Sequence, residues 1–146
     1  MRDGAGPTRV LLVEDNPADV YLIKLLLERV GAALDLDVVS DGESALERLG
    51  LTGDSGARFL PELILLDLNL PRLDGWELLR RIKADAKLTV IPVVVLSSAE
   101  SATEVAHCYR LHASAFVRKL EEPKQMESAL RCLSEFWLRT ASLPRC

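Results

Sequence analysis

Residues 9–17 read RVLLVEDNP, and the order of residue types in this stretch decides the fold. Arg9–Val13 is a short, nearly unbroken apolar run, the mark of a strand buried on both faces. It stops on the acidic pair Glu14-Asp15. Asn16 is placed to cap a helix. Pro17 suits the first helical turn, where its missing N–H would have had no partner. A buried strand, an acidic turn and a helix start follow one another with nothing between them, which predicts the opening of a βαβ unit.

Working outward, the same alternation recurs. Val20–Val30 is too long and too Leu-rich for a strand, and Gly31 closes it as a C-cap would. Leu34, Leu36 and Val38 alternate with Asp35 and Asp37, predicting a half-exposed edge strand. A helix from Gly42 to Leu49 ends at Gly50, and Leu51–Arg58 is a Gly/Asp/Ser loop. Leu63–Leu66 is a second buried strand ending on Asp67. The loop Asn69–Gly75 leads into a helix over Trp76–Ala84. Ile91–Leu96 is a third buried strand ending on Ser97-Ser98, with Ser98 placed to cap a helix over Ala102–Leu111. Ala115–Val117 is a short strand ending at Arg118-Lys119. Pro123 opens a last helix with Met126, Ala129, Leu130, Leu133 and Trp137 on one face. The pattern is (βα)5: an α/β, doubly wound, parallel five-stranded sheet with helices on both faces.

Right-handed crossovers bring the carboxyl ends of all the strands to one edge, where open α/β sheets bind ligands. Glu14, Asp15, Asp67, Ser97 and Lys119 therefore converge although they are far apart in the chain. Crowded carboxylates repel unless a cation sits among them. Mg²⁺ suits such a set, since it takes one or two carboxylates and keeps waters or phosphate oxygens for its other positions. Lys119 adds a mobile positive charge, and Ser97 a hydroxyl donor for a phosphoryl oxygen. No Ser/His/Asp or Cys/His arrangement is visible, and no glycine-rich loop follows the first strand. The chemistry on offer is phosphoryl transfer to a carboxylate. Singly, each group has a plainer reading: Glu14-Asp15 as a helix-start charge pair, Asp67 as an Asx-turn residue, Phe116 as strand packing. Coincidence at one edge favours a site.

Composition sets the outer limits. The chain has 146 residues, 49% of them hydrophobic and 27% charged. That is one domain's worth and excludes a disordered chain. Eighteen basic against twenty-two acidic residues, net −4, argue against a nucleic-acid partner. Cys108, Cys132 and Cys146 show no CxxC spacing and read as reduced thiols of a cytoplasmic protein. No apolar run approaches the ~20 residues that span a bilayer, and Met1–Thr8 lacks a signal-peptide core. His107 and His112 are five apart, the wrong spacing for two metal ligands on one helix face, and are expected on the solvent side. The first helix is apolar nearly all round. Ile23, Leu26, Leu27 and Val30 are expected on the sheet, leaving Ala18, Leu22 and Leu25 as a docking strip beside the acidic edge. Phe136, Trp137 and Leu138 lie about 100° apart on a helix and cannot all face one core. With Leu143 and Pro144 they predict a partner surface.

Taken together and in order, VLLVEDNP, LILLDLNLPRLDGWELLRRI, VVVLSS and AFVRK resemble the receiver domain of two-component response regulators, from about Thr8 to Arg139. The resemblance implies a flavodoxin-like sheet of order 2-1-3-4-5. It implies one receiver domain over residues 1–146, with a core at 8–139, a tail at 140–146 and no output domain. Asp67 then resembles the aspartate that accepts a phosphoryl group from a sensor histidine kinase. Asp15 and Asp67 match the Mg²⁺ carboxylates, Glu14 reaches the metal through water, and Asn69 offers its carbonyl. Ser97 and Lys119 match the residues that hold phosphoryl oxygens, and Ser97 and Phe116 the switch pair. Such a protein is a phosphoacceptor that assists its own phosphorylation and dephosphorylation, not an enzyme. The Asn69 amide and the small Ala99 imply moderately fast dephosphorylation. Asn16-Pro17-Ala18-Asp19, Phe136-Trp137 and Leu143-Pro144 are similar to the single-domain regulators paired with bacterial phytochrome kinases, which dimerise through their C-terminal half.

One departure stands out: Leu120 replaces the proline that usually follows the lysine. A cis bond before a non-proline residue costs ~2.5–4 kcal/mol, so this loop is expected to run trans, which puts the placing of Lys119 in question. Two other readings compete. In a Mg²⁺ phosphohydrolase of the haloacid-dehalogenase sort, Asp67-Leu68-Asn69 would imitate a DxD pair, but that class carries its nucleophile after the first strand. A scaffold receiver that is never phosphorylated would not need the full acceptor set present here.

Overall fold

The computed structural model describes residues 6–30, 33–52, 60–98 and 101–144. Gly31, most of the Leu51–Arg58 loop and Ala99 lie outside the described residues. Five strands, β1 (Thr8–Val13), β2 (Leu34–Val39), β3 (Leu63–Asp67), β4 (Val93–Ser97) and β5 (Ala115–Arg118), alternate with five helices. These are α1 (Pro17–Arg29), α2 (Gly42–Arg48), α3 (Gly75–Ala84), α4 (Ala102–Arg110) and α5 (Pro123–Glu135). The sheet is parallel throughout, in the order β2-β1-β3-β4-β5. Both the architecture and the strand order agree with expectation.

The central strands are apolar at successive positions because each face is covered. Leu11, Val13, Ile64, Leu66, Val93 and Val95 pack against α2, α3 and α4. Their neighbours Val10, Leu12, Leu63, Leu65, Val94 and Leu96 pack against α1 and α5. Each fully buried Leu, Ile or Val contributes roughly 1.5–3 kcal/mol relative to exposure, so a polar residue is costly anywhere before the strand ends. β2 lies at the sheet edge as expected, but its alternation stops at Leu36. Val38 is exposed, and Val39 turns into the α2–α4 core instead.

Local chemistry fixes the helix ends. Asn16 caps α1, its side chain accepting the N–H groups of Ala18 (2.9 Å) and Asp19 (3.3 Å). Gly50 follows α2 with φ of 76°, a conformation that costs glycine little. Three expectations shift. β4 begins at Val93 because Leu88–Val90 form a 3₁₀ turn whose Leu88 carbonyl takes the Ile91 N–H at 3.0 Å. Ser101, not Ser98, caps α4, accepting the Thr103 N–H at 3.2 Å. His112 is not a helical residue: it ends α4 with φ of 71°, sending its N–H to the Tyr109 carbonyl. His107 is exposed on α4 with its ring centroid 4.7 Å from that of Trp76.

The C-terminal segment departs from regular helical spacing. After α5 the chain widens into a π turn over Phe136–Thr140. That turn carries Leu138 into the α1/α5 core and leaves Trp137 and Leu143 partly buried against it. Only Phe136 of the three consecutive apolar residues stays half exposed. Ala129, assigned to the buried stripe by its spacing, is only partly covered. Among the described residues no helix is long and apolar enough to cross a membrane.

Candidate functional site: the carboxyl edge of the sheet

The strand ends meet as their register requires. Asp67 closes β3 opposite Leu96 of β4, and Ser97, the last residue of β4, lies opposite Arg118 of β5. The Lys119 backbone N–H donates to the Ser97 carbonyl at 2.8 Å, tying the lysine to the end of β4. Ser97 is buried. Asp67 is 5% exposed, and its Oδ1 accepts the Asn69 N–H at 3.1 Å. Asp67 is thus an Asx-turn residue and a member of the cluster at once. Behind it the α3 N-terminus comes so close that a Cβ on Gly75 would sit 2.5 Å from Leu68 Cα and 2.7 Å from the Asp67 carbonyl. Glycine is required there for steric reasons.

Glu14 is 2% exposed, yet both its oxygens are used. Oε2 accepts the Asn16 N–H at 3.2 Å, and Oε1 accepts from Lys119 Nζ at 2.6 Å. The same ammonium donates to Asp19 Oδ2 at 3.0 Å and lies 3.4 Å from Asp67 Oδ2. Asp15, exposed at the rim, completes a cluster in which Glu14, Asp15 and Asp67 each offer an oxygen within 4.8 Å of the others. Asn69 is exposed directly past Asp67. The expected residues from four strand ends come together.

Electrostatics follow from that crowding. Burial, aided by the nearby Asp67, pushes Glu14 up to about 7 against the opposing pull of Lys119. Burial works against the Lys119 ammonium too, but its hydrogen bonds to Glu14 and Asp19 more than offset this and hold its pKa above the usual lysine range. One ammonium faces the three carboxylates of Glu14, Asp19 and Asp67, with Asp15 beside them, so the edge keeps an excess of negative charge. Hard oxygen donors in that excess fit Mg²⁺.

Leu120 resolves the doubt about Lys119. No peptide bond among the described residues is cis. The Leu120 N–H, which a proline would lack, donates to Met126 Sδ at 3.1 Å, while its side chain packs on the α1/α5 core. Lys119 still reaches the cluster. Beside it a cavity of about 210 Å³ opens between α1 and α5, lined in part by Leu22, Leu120 and Met126. Of the expected strip on α1, Ala18 is exposed while Leu22 and Leu25 are half buried. Phe116 is half buried against the α2–α4 core, and its backbone N–H donates to the Tyr109 hydroxyl at 3.2 Å.

Sequence reasoning missed Asp19 as part of the site. The available signal was its place in the first turn of α1, whose N-terminus opens at the same edge.

A parallel β2-β1-β3-β4-β5 sheet with buried acids, a serine and a lysine at its carboxyl edge defines a class of phosphorylatable signalling domains. The response regulator receiver domain model matches residues 10–131, and the chain belongs to that family. It is 37% identical over 145 residues to response regulator Rcp1 of Synechocystis, covering 99% of each chain. The solved Mn²⁺-bound form of Rcp1 superimposes with a TM-score of 0.90, covering 95% of this chain and 100% of that one. The phosphorylated cyanobacterial phytochrome response regulator RcpA gives 0.87 at 39% identity, covering 96% and 100%. The bacteriophytochrome response regulator RtBRR gives 0.72 at 36% identity, covering 94% and 84%. The chain is a receiver of two-component signalling, homologous to phytochrome response regulators, and receivers bind Mg²⁺ at their acidic site. The phosphohydrolase reading is not favoured.

Proposed function

We propose that Asp67 is the phosphoacceptor of a histidine-kinase pathway. The observation that carries this reading is the Lys119 ammonium held between Glu14 and Asp67 at the sheet edge. An oxygen of Asp67 bonds to phosphorus as the phosphorus–nitrogen bond of the phosphohistidine breaks, and the electron pair leaves with the imidazole, which takes up a proton. Lys119 and Ser97 stabilise charge on the phosphoryl oxygens without moving far, which is the main work a protein does in such a transfer. Asp15, Asp67 and the Asn69 carbonyl, with Glu14 through water, would hold Mg²⁺, and the ion would supply positive charge to offset that of the transferring group. The same residues let the receiver assist its own phosphorylation and dephosphorylation, and Ser97 and Phe116 form the switch. Incubation with acetyl phosphate and Mg²⁺, followed by intact mass, is expected to add one phosphoryl group to the wild type and none to Asp67→Asn. Wild-type incorporation in Asp67→Asn overturns the assignment.

The donor we infer is a bacterial phytochrome histidine kinase in the cytoplasm. Support comes from the likeness to RcpA and RtBRR and, for the compartment, from the exposed free thiol of Cys132. Faster transfer from a phytochrome kinase than from an unrelated sensor kinase is the expected result; equal rates count against it. Residues 1–146 act as one receiver unit, with its core at 8–139, that homodimerises through its C-terminal half, where Tyr109 and Phe136 are exposed and Phe136 stacks edge-on against Trp137. Light scattering is expected to show a dimer that Phe136→Asp dissociates. A dimer unchanged by that substitution excludes Phe136 from the interface.

A further inference from the structure

Three carboxylates compete for one ammonium, and only two of them have a place in the chemistry above. Asp19, in the first turn of α1, is the third, and it meets Lys119 across 100 residues of chain at 3.0 Å. An ammonium has three N–H donors on a flexible four-carbon stem. In Lys119 one donor goes to Glu14 at 2.6 Å and a second to Asp19, which leaves the third for Asp67 Oδ2 at 3.4 Å. The first two anchors move as one piece. Asn16 donates its N–H to Glu14 Oε2 and accepts the Asp19 N–H on its side chain, so the loop from β1 to α1 sets both carboxylates relative to each other. A single anchor would let the ammonium swing about Glu14. Two anchors define where the remaining donor points.

We propose that Asp19 is a positioning residue for phosphorylation of Asp67, acting through Lys119 by fixing the direction of the ammonium's third N–H. The inference rests on the reading of Lys119 given under the proposed function. A purely structural role for Asp19 also exists, since an acid in a first helical turn complements the helix dipole. That role does not involve Lys119, and the difference makes the idea testable.

The test measures rate constants for phosphorylation by acetyl phosphate at saturating Mg²⁺, by intact mass. In this reaction an Asp67 oxygen bonds to phosphorus while the bond to acetate breaks and acetate leaves with the electron pair. The chains compared are the wild type, Asp19→Ala, Asp19→Asn, Lys119→Met and the double variant Asp19→Ala with Lys119→Met. Asp19→Ala is expected to slow the reaction on the order of 10-fold, a coupling normal for groups in one hydrogen-bonded network. Asp19→Asn, which keeps an acceptor oxygen and the side-chain shape, should slow it less. In the Lys119→Met background Asp19→Ala should change nothing further. Wild-type rates in Asp19→Ala, or the same fold loss in both backgrounds, overturn the positioning role while leaving Lys119 in place. A wild-type rate in Lys119→Met overturns the reading of Lys119 and this inference with it.

Discussion

The Tyr109 hydroxyl accepts the backbone N–H of Phe116 at 3.2 Å, so a side chain from α4 covers the open edge of β5 at the proposed switch residue. An outer strand presents such N–H groups unpaired, and here α4 supplies the missing partner. Tyr109→Phe removes the acceptor and keeps the ring. Hydrogen exchange at the Phe116 amide should then speed up by the equivalent of about 1 kcal/mol, with little change in global stability because water can reach the freed N–H. Unchanged exchange at that amide would show that this bond does not hold the edge.

Asp15 is the exposed member of the carboxylate cluster and pairs with no cation among the described residues. Asp15→Ala should therefore cost little stability but much Mg²⁺ affinity. The loss should reach at least the ~10–100-fold seen when only a ligand's supporting partner is removed. Titration of Mg²⁺ against Trp76 fluorescence, or calorimetry, measures it; wild-type affinity would remove Asp15 from the metal site.

Glu14 gives the metal-free protein an unusual pH dependence. Its carboxyl ionises near 4.5 in the unfolded chain and is pushed up to about 7 by burial in the folded one. Between those values the folded state binds more protons than the unfolded state, so this group makes stability fall as pH rises through the window. The effect is on the order of 3 kcal/mol at most. Urea unfolding in EDTA should show the fall in wild type and a flatter profile in Glu14→Gln. Mg²⁺ should restore stability above pH 7 by favouring the ionised form.

Gly75 lets α3 press against the strand that ends on Asp67. A methyl group there meets the backbone of Asp67 and Leu68, which cannot swing away as a side chain could. Gly75→Ala should cost roughly 1–3 kcal/mol in denaturant unfolding, as overpacking does. It should also slow phosphorylation, because the strand end that yields is the one carrying Asp67. A stable protein phosphorylated at the wild-type rate would count against this account of the site's rigidity.

The amino-acid sequence by itself determined the strands β1, β3 and β4, because a parallel sheet covered on both faces demands unbroken apolar runs with polar residues only at their ends. It determined the Asn16 cap and the convergence of Glu14, Asp15, Asp67, Ser97 and Lys119, since crossover handedness brings those ends to one edge. Tertiary structure alone decided the rest. Leu138 is buried and Phe136 exposed because a π turn follows α5, and regular helical spacing cannot foresee a turn set by packing. The place of Asp19 in the first turn of α1 put it at the right edge, but its pairing with Lys119 was decided only by the packed fold. Periodicity reports which way a residue faces along its own element, whereas the distance between side chains on two elements is fixed only when the core between them closes.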